Sequence, residues 1–245
     1  MEAEGGRPGT TEPSTHTWAR ALVRAVYLGG FGYLLIAVWQ VLLLDATGVT
    51  DRATAAWQVS GQLAVLLGAV TLAGGYRLTT DRDAPGLDVR VPTLRESALV
   101  VAGVLGLLAV NYGAEAVGVP FAAHSIQQYA ARNPAMLGPL AVGSLLFVGP
   151  GEELLFRNVV QRTTTADLGV VPGVLVASAV FAAVHVVPYG DAAPPALAGT
   201  LGVVFVLSVV LGALYAHTRN LVVVALVHGG YDAVAFAVMY TEVAG

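Results

Sequence analysis

Two adjacent glutamates, Glu152 and Glu153, stand in one of the most apolar parts of the sequence and are followed by Arg157. The preceding stretch 136–151 carries no charge. Ionised groups in apolar surroundings are costly unless they are paired, so each of these residues needs a partner or a function. On a helix, Glu153 and Arg157 are four residues apart and are expected to pair on one face. Glu152 then points about 100° away, toward a different neighbour.

Two further residue pairs at helical spacing, each with a histidine, occur inside apolar stretches downstream. Phe181 and His185 are four residues apart and share a helix face, and so do His228 and Asp232. Two glycines between the last pair allow another backbone or a substrate to approach closely. Structural interpretations also exist: a buried ion pair for the glutamates, an interhelical hydrogen bond for His185 and a local His–Asp pair for the last motif.

A carboxylate and two imidazoles in a low-dielectric site suit water activation and peptide hydrolysis. The carboxylate is a usable general base, and an imidazole can hold the water or donate to an oxyanion. Glu152, His185 and His228 are also a plausible ligand set for zinc. The helical His-Glu-x-x-His motif of zinc proteases is absent. The sequence thus leaves two possibilities, a site that requires no cofactor and a site with a single zinc ion.

The composition is that of a membrane protein. Hydrophobic residues make up 56% of the 245 residues and charged residues only 11%, whereas soluble domains carry roughly 25% charged residues. The absence of cysteine excludes disulfides, thiolate metal ligands and cysteine nucleophiles. The net charge of −4 gives no indication of a nucleic-acid partner.

Uncharged windows predict an all-α fold, a polytopic membrane helix bundle of about seven transmembrane helices with the active site inside the bundle. A span needs about 20 apolar residues. The windows are 25–44, 53–76, 97–114, 133–151, 168–190, 192–218 and 220–241, the last broken only by Asp232.

Helix register brings the polar groups to similar depth. If the helix of Glu152 ends at a turn near 167–173, Glu152 and His185 each lie roughly 18–23 Å from that turn. His228 lies roughly 12 Å into the last helix, counted from the expected cap Asn220. We therefore expect Glu152, His185 and His228 to face a common cavity.

Arginine placement predicts the orientation in the cell membrane. If the N-terminus is inside, the inner segments hold Arg7, Arg20, Arg24, Arg77, Arg82, Arg90, Arg95, Arg162 and Arg219. The outer loops hold only Arg52 and Arg132. Because cytoplasmic segments carry an excess of basic residues, nine against two predicts a cytoplasmic N-terminus.

The chain divides into three expected parts. Residues 1–17 are expected to form a disordered tail, 18–96 an N-terminal transmembrane helix pair with an inner loop, and 97–245 a catalytic bundle with its motifs in 148–232. His124 is expected to lie in the outer loop before the fourth span and is not counted among the site residues.

The three motifs together resemble the CAAX-protease and bacteriocin-processing (CPBP or Abi) family of membrane endopeptidases, to which the type II CAAX prenyl endopeptidase belongs. The resemblance covers about 140–240 and includes the order and spacing of the motifs. They read Glu152-Glu153-x-x-x-Arg157, Phe181-x-x-x-His185 and His228-x-x-x-Asp232.

The resemblance implies a role for each motif residue. Glu152 would be the water-activating base, and His185 would help to hold the water. His228 and Asp232 would line the oxyanion pocket. Arg157 would orient Glu152 and Glu153, with Phe156 and Phe181 lining the site.

One residue departs from the family pattern, in which the last motif commonly ends in asparagine. Asparagine donates hydrogen bonds, and ionised aspartate cannot. Asp232 is therefore protonated, or orients His228, or alters the activity of this member.

The function predicted from these observations is hydrolysis of peptide bonds in membrane-associated protein or peptide substrates, either CAAX-type prenylated tails or leader peptides. Two alternatives remain: a catalytically weak scaffold or regulator of the same family, and a proton-coupled carrier. The absence of an internal repeat counts against the carrier. The expected partners are the substrate and the lipid bilayer, with no nucleic acid.

Overall fold

The computed structural model describes residues 13–80, 86–189 and 192–245, and within these ranges every regular element is a helix. The predicted all-α fold is confirmed. Most of the expected tail lies outside the described residues, as do 81–85 of the inner loop and the end of the window 168–190.

Eight helices follow one another along the described chain. They are α1 (Thr15–Thr47), α2 (Ala55–Thr79), α3 (Leu94–Ala116), α4 (Ser125–Arg132), α5 (Pro134–Leu168), α6 (Val170–Val184), α7 (Pro194–Thr218) and α8 (Leu221–Ala244). In the described residues, six of them are long and apolar enough to cross a bilayer, namely α1, α2, α3, α5, α7 and α8. The protein is therefore an integral membrane protein. Each predicted window coincides with part or all of one apolar helix, and α4 is a short additional helix.

Helix α6 is shorter than the window that predicted it. It has 15 residues, which rise only about 22 Å and do not cross a hydrocarbon core of about 30 Å. The helix ends at Val184, and a short 3₁₀ turn from Val187 to Tyr189 follows. Pro188 explains the early end, because proline has no N–H to donate to the carbonyl four residues back, that of Val184, and its ring clashes with that carbonyl.

The turns between helices α5 to α8 follow local sequence signals. Gly169 joins α5 to α6 with a φ of +89°, a conformation that favours glycine. Asn220 caps α8, since its side-chain oxygen accepts a hydrogen bond of 3.2 Å from the backbone N–H of Val222. The predicted end of the Glu152 helix and the predicted cap are both confirmed.

Helix α5 is not a regular α-helix. Its hydrogen bonds widen to π-helical spacing over Ser144–Val148 and again over Leu154–Gln161. The Gly149 N–H, for example, donates to the Ser144 carbonyl, five residues back. These two rare wide turns enclose the ordinary α-helical segment Gly149–Glu153. π turns occur frequently at functional sites, so their position on both sides of the glutamates indicates that this part of α5 is functional.

Glycines let α5 approach its neighbours at backbone distance. A Cβ at Gly149 would overlap the Ala225 carbonyl oxygen of α8 and lie 2.9 Å from the Gly229 nitrogen. A Cβ at Gly151 would lie 2.9 Å from the Leu66 Cα of α2. Small residues at such crossings are the usual means of close helix packing in membranes.

Gly149→Ala is expected to destabilise the protein by about 1–3 kcal/mol, because the added methyl group pushes α5 away from α8. Gly138→Ala is the matched control, since Gly138 lies on the same helix and a Cβ there meets nothing within 4 Å. Thermal unfolding of both variants in detergent measures the difference. Equal melting temperatures would contradict the close contact.

The described part of the α2–α3 connection binds the ends of three other helices, α5, α7 and α8, through Asp88. The Asp88 carboxylate accepts a hydrogen bond of 2.8 Å from the Tyr215 hydroxyl and lies 3.2 Å from Arg219 Nε. It also lies 3.5 Å from Arg162 Nη1, at the end of α5. The Asp88 backbone oxygen accepts from the Leu221 N–H at 2.7 Å. This connection therefore joins the α7–α8 turn to the end of α5.

Candidate active site in the bundle

The centre of the bundle holds a fully buried ion pair. Glu153 and Arg157 have no exposed side-chain surface, and Arg157 Nε donates to Glu153 Oε2 at 2.7 Å. Arg157 Nη2 also donates to Ser208 Oγ of α7 at 3.0 Å. The expected pairing is thus found, and α7 supplies a second partner for the arginine. Hydrogen bonds of this kind offset the free-energy cost of removing both charges from water.

His228 of α8 is fixed by the same glutamate. Its Nδ1 lies 2.9 Å from Glu153 Oε1, and because a carboxylate only accepts, Nδ1–H is the donor. The other ring nitrogen, Nε2, lies 3.7 Å from both Glu152 Oε2 and Asp232 Oδ2. Glu153 therefore orients both Arg157 and His228, and it leaves His228 Nε2 between two carboxylates.

His185 lies immediately after the end of α6. Its Nδ1 lies 2.8 Å from the Phe181 carbonyl oxygen, which can only accept, so the proton is on Nδ1. In the neutral ring, Nε2 is then an acceptor. The Phe181 ring packs at 4.4 Å from the His185 ring and meets the Phe156 ring edge-on at 4.8 Å. These aromatic contacts hold His185 in one orientation.

The motif residues meet at a cavity of about 590 Å³. Its lining includes Glu152, His185, His228, Asp232 and Phe181. The structure thus places the three residues of the expected convergence at one cavity. Glu152 Oε2 is buried and has no hydrogen-bond partner.

The remaining predicted residues lie beside or behind this cavity. Phe156 lines an adjoining space of about 250 Å³ together with Glu152 and His185. Glu153 and Arg157 are outside both linings, behind the wall. The glutamate pair is therefore divided, with one carboxylate at the cavity and the other within the protein.

Sequence reasoning missed several lining residues. Tyr33 of α1 and Gln62 of α2 line the cavity, although no motif marks the N-terminal helix pair. Tyr189 lines it from the turn after α6. The only feature of the sequence that could have indicated these residues is that polar side chains such as Gln62 interrupt an apolar window.

His124 lies in the connection before α5, as expected, and also lines the cavity, although the sequence analysis did not count it among the site residues. It caps α4, since its Nδ1 accepts a hydrogen bond of 3.0 Å from the Ile126 N–H. Burial and the nearby His185 lower the pKa of His124 to about 4. The ring is therefore neutral at pH 7 and carries its proton on Nε2.

The sequence left open whether the site binds a single zinc ion. In the described ranges, no group of three or more His, Asp or Glu side chains is arranged to hold a metal ion. Glu152, His185 and His228 share the cavity without forming such a group. Nδ1 of each of these two histidines is bonded to the protein, which leaves Nε2 of both rings as the nitrogen that can hold a water or an ion.

Comparison with known proteins gives one match. Residues 134–234 match the family model described as Type II CAAX prenyl endopeptidase Rce1-like. The matched segment contains all three motifs, from Glu152 to Asp232. A comparison with curated proteins and a comparison with solved structures found no match.

Proposed function

We propose that this chain is a membrane protease with Glu152 as its catalytic base, because residues 134–234 match the family of type II CAAX prenyl endopeptidases. The protein would hydrolyse peptide bonds of membrane-associated substrates, either prenylated tails or leader peptides. The main support is the division of the glutamate pair. Glu153 is occupied by Arg157 and His228, whereas Glu152 faces the cavity with an oxygen that has no hydrogen-bond partner.

In the proposed reaction, His185 Nε2 and Glu152 hold the attacking water. Glu152 takes a proton from this water, and the water oxygen attacks the peptide carbonyl carbon. As the C–N bond breaks, Glu152 returns the proton to the leaving amine. Every proton is thereby accounted for without a further reactant.

The carbonyl oxygen becomes an oxyanion during the attack and needs a donor. We assign this role to His228 Nε2, which donates when the ring is protonated. The bond from Nδ1 to Glu153 fixes the ring plane and compensates the charge. Arg157 is a positioning residue, because it binds Glu153, which in turn binds His228.

The test is cleavage of quenched fluorogenic peptides by the purified protein in detergent, compared with Glu152→Gln. One peptide set ends in a farnesylated Cys-Ala-Ala-X sequence, and the other carries no lipid. A scaffold or a carrier would cleave neither set. We also propose that the protein lies in the cell membrane with its N-terminus in the cytoplasm, on the basis of the arginine distribution.

Asp232→Asn is expected to raise kcat, by up to about 100-fold, which is the scale of one oxyanion donor. Asp232 Oδ2 lies 3.7 Å from His228 Nε2, so an ionised carboxylate there repels the oxyanion, whereas an amide donates to it. Steady-state cleavage in detergent measures the change. A loss of activity in a folded Asp232→Asn protein would mean that the carboxylate itself is required.

A further inference from the structure

One face of the bundle carries most of the arginines. Contacts between distant segments define this face, including the ion pair of Arg24 of α1 with Asp167 of α5. Arg90 donates to the Thr218 carbonyl at the end of α7, and Arg162 donates to the Gly86 carbonyl. The arginines at this face in the described residues are Arg20, Arg24, Arg77, Arg90, Arg95, Arg162 and Arg219.

The opposite face is poor in arginine. It is formed by the α1–α2 turn, the connection that contains α4, and the turn after α6. Contacts join these parts, since Asn133 Nδ2 donates to the Ala53 carbonyl at 2.9 Å and the His124 ring meets the Tyr189 ring edge-on at 5.1 Å. The described arginines at this face are only Arg52 and Arg132. We call the two sides the arginine-rich and the arginine-poor face.

The cavity extends from the glutamate toward the arginine-poor face. Its lining includes Trp57 in the first turn of α2, His124 before α4, Tyr189 after α6 and Met239 near the end of α8. In the described residues, none of the seven arginines of the other face lines it.

The short helix α6 accounts for this direction. The helix starts at the arginine-rich face and rises about 22 Å, so His185 at its end lies short of the opposite membrane surface. The turn Val187–Tyr189 continues the wall from there. A helix long enough to cross the membrane would instead place apolar side chains beyond the depth of His185, where the cavity now extends.

We propose that the active-site cavity opens on the side of the membrane opposite the cytoplasm. Cytoplasmic segments collect arginine, so the arginine-rich face is the cytoplasmic one. The substrate is then a peptide segment of a membrane-associated polypeptide presented from the extracytoplasmic side, and not a prenylated tail in the cytoplasm. This inference rests on the proposed function for its substrate and on the arginines for its direction.

Single-cysteine labelling tests the direction, because the natural chain has no cysteine. Gln128→Cys places a thiol on α4 at the arginine-poor face, and Thr80→Cys places one at the other face; both positions are exposed. In intact cells, a membrane-impermeant maleimide should label Gln128→Cys, and it should label Thr80→Cys only after permeabilisation. The reverse pattern would overturn the proposal.

Sided vesicles test the substrate. Right-side-out vesicles should cleave a charged, water-soluble quenched peptide added outside, and inverted vesicles should cleave it only after detergent is added. Cleavage by inverted vesicles alone would overturn the proposed side while leaving the protease function intact. No cleavage even in detergent would overturn the proposed function, and with it the proposed substrate, whatever the labelling shows.

Discussion

Glu152→Gln is expected to reduce peptide cleavage by about 10²–10⁴-fold, the usual contribution of a general base. The amide keeps the shape of the side chain but cannot accept the proton of the attacking water. Four residues after Glu153 stands Arg157, whereas four residues after Glu152 stands Phe156. No cation of α5 therefore holds the Glu152 carboxylate as Arg157 holds that of Glu153, and it is free to react.

Folding should be unaffected by this substitution, because Glu152 Oε2 makes no hydrogen bond that would be lost. Glu115→Gln provides the matched control, since it makes the same chemical change at an exposed position of α3. Cleavage rate and melting temperature are measured in parallel on both purified variants. If Glu152→Gln cleaves at the parent rate, Glu152 is not the base.

Glu153→Gln, in contrast, is expected to act on folding and to lower the free energy of unfolding by about 3–5 kcal/mol. The carboxylate binds Arg157 at 2.7 Å and His228 at 2.9 Å, and both Glu153 and Arg157 are fully buried. An amide leaves the arginine charge buried without compensation. It also offers only one acceptor oxygen for the two donors.

The double variant Glu153→Gln with Arg157→Gln separates charge from shape. Because it removes the uncompensated charge, it should recover part of the stability that Glu153→Gln loses. Thermal unfolding in detergent of the parent, both single variants and the double variant completes the cycle. Additive losses would show that the two residues do not act as a pair.

The local part of the site was predictable from the sequence because helix spacing determines it. The four-residue separation of Glu153 and Arg157 led directly to their ion pair, which the structure contains. The depth of His185 also followed, because Gly169 marks the turn from which both helices are counted. The family resemblance rests on the same spacings and agrees with the match over 134–234.

The remaining parts of the site depend on how distant helices pack together, which the spacing of residues along the chain does not determine. Tyr33, Gln62 and His124 reach the cavity only because α1, α2 and α4 pack around it. The bond between His228 and Glu153 joins residues 75 positions apart in sequence. The early end of α6 was missed because His185 and the residues after it are as uncharged as a membrane span.

The two π turns of α5 have a consequence for how this helix tolerates changes of length. A π turn holds one residue more than the α-helical turn it replaces, so it is the natural product of a single insertion. Deleting one residue within Ser144–Val148 would restore ordinary helical hydrogen bonding and turn the preceding part of α5 by about 100° relative to Glu152. The close approach of Gly229 to Ser144, where an added Cβ would lie 2.6 Å from the Ser144 carbonyl oxygen, would then be lost. Changes in the length of this segment are therefore restricted, even though all of its side chains except Ser144 are apolar.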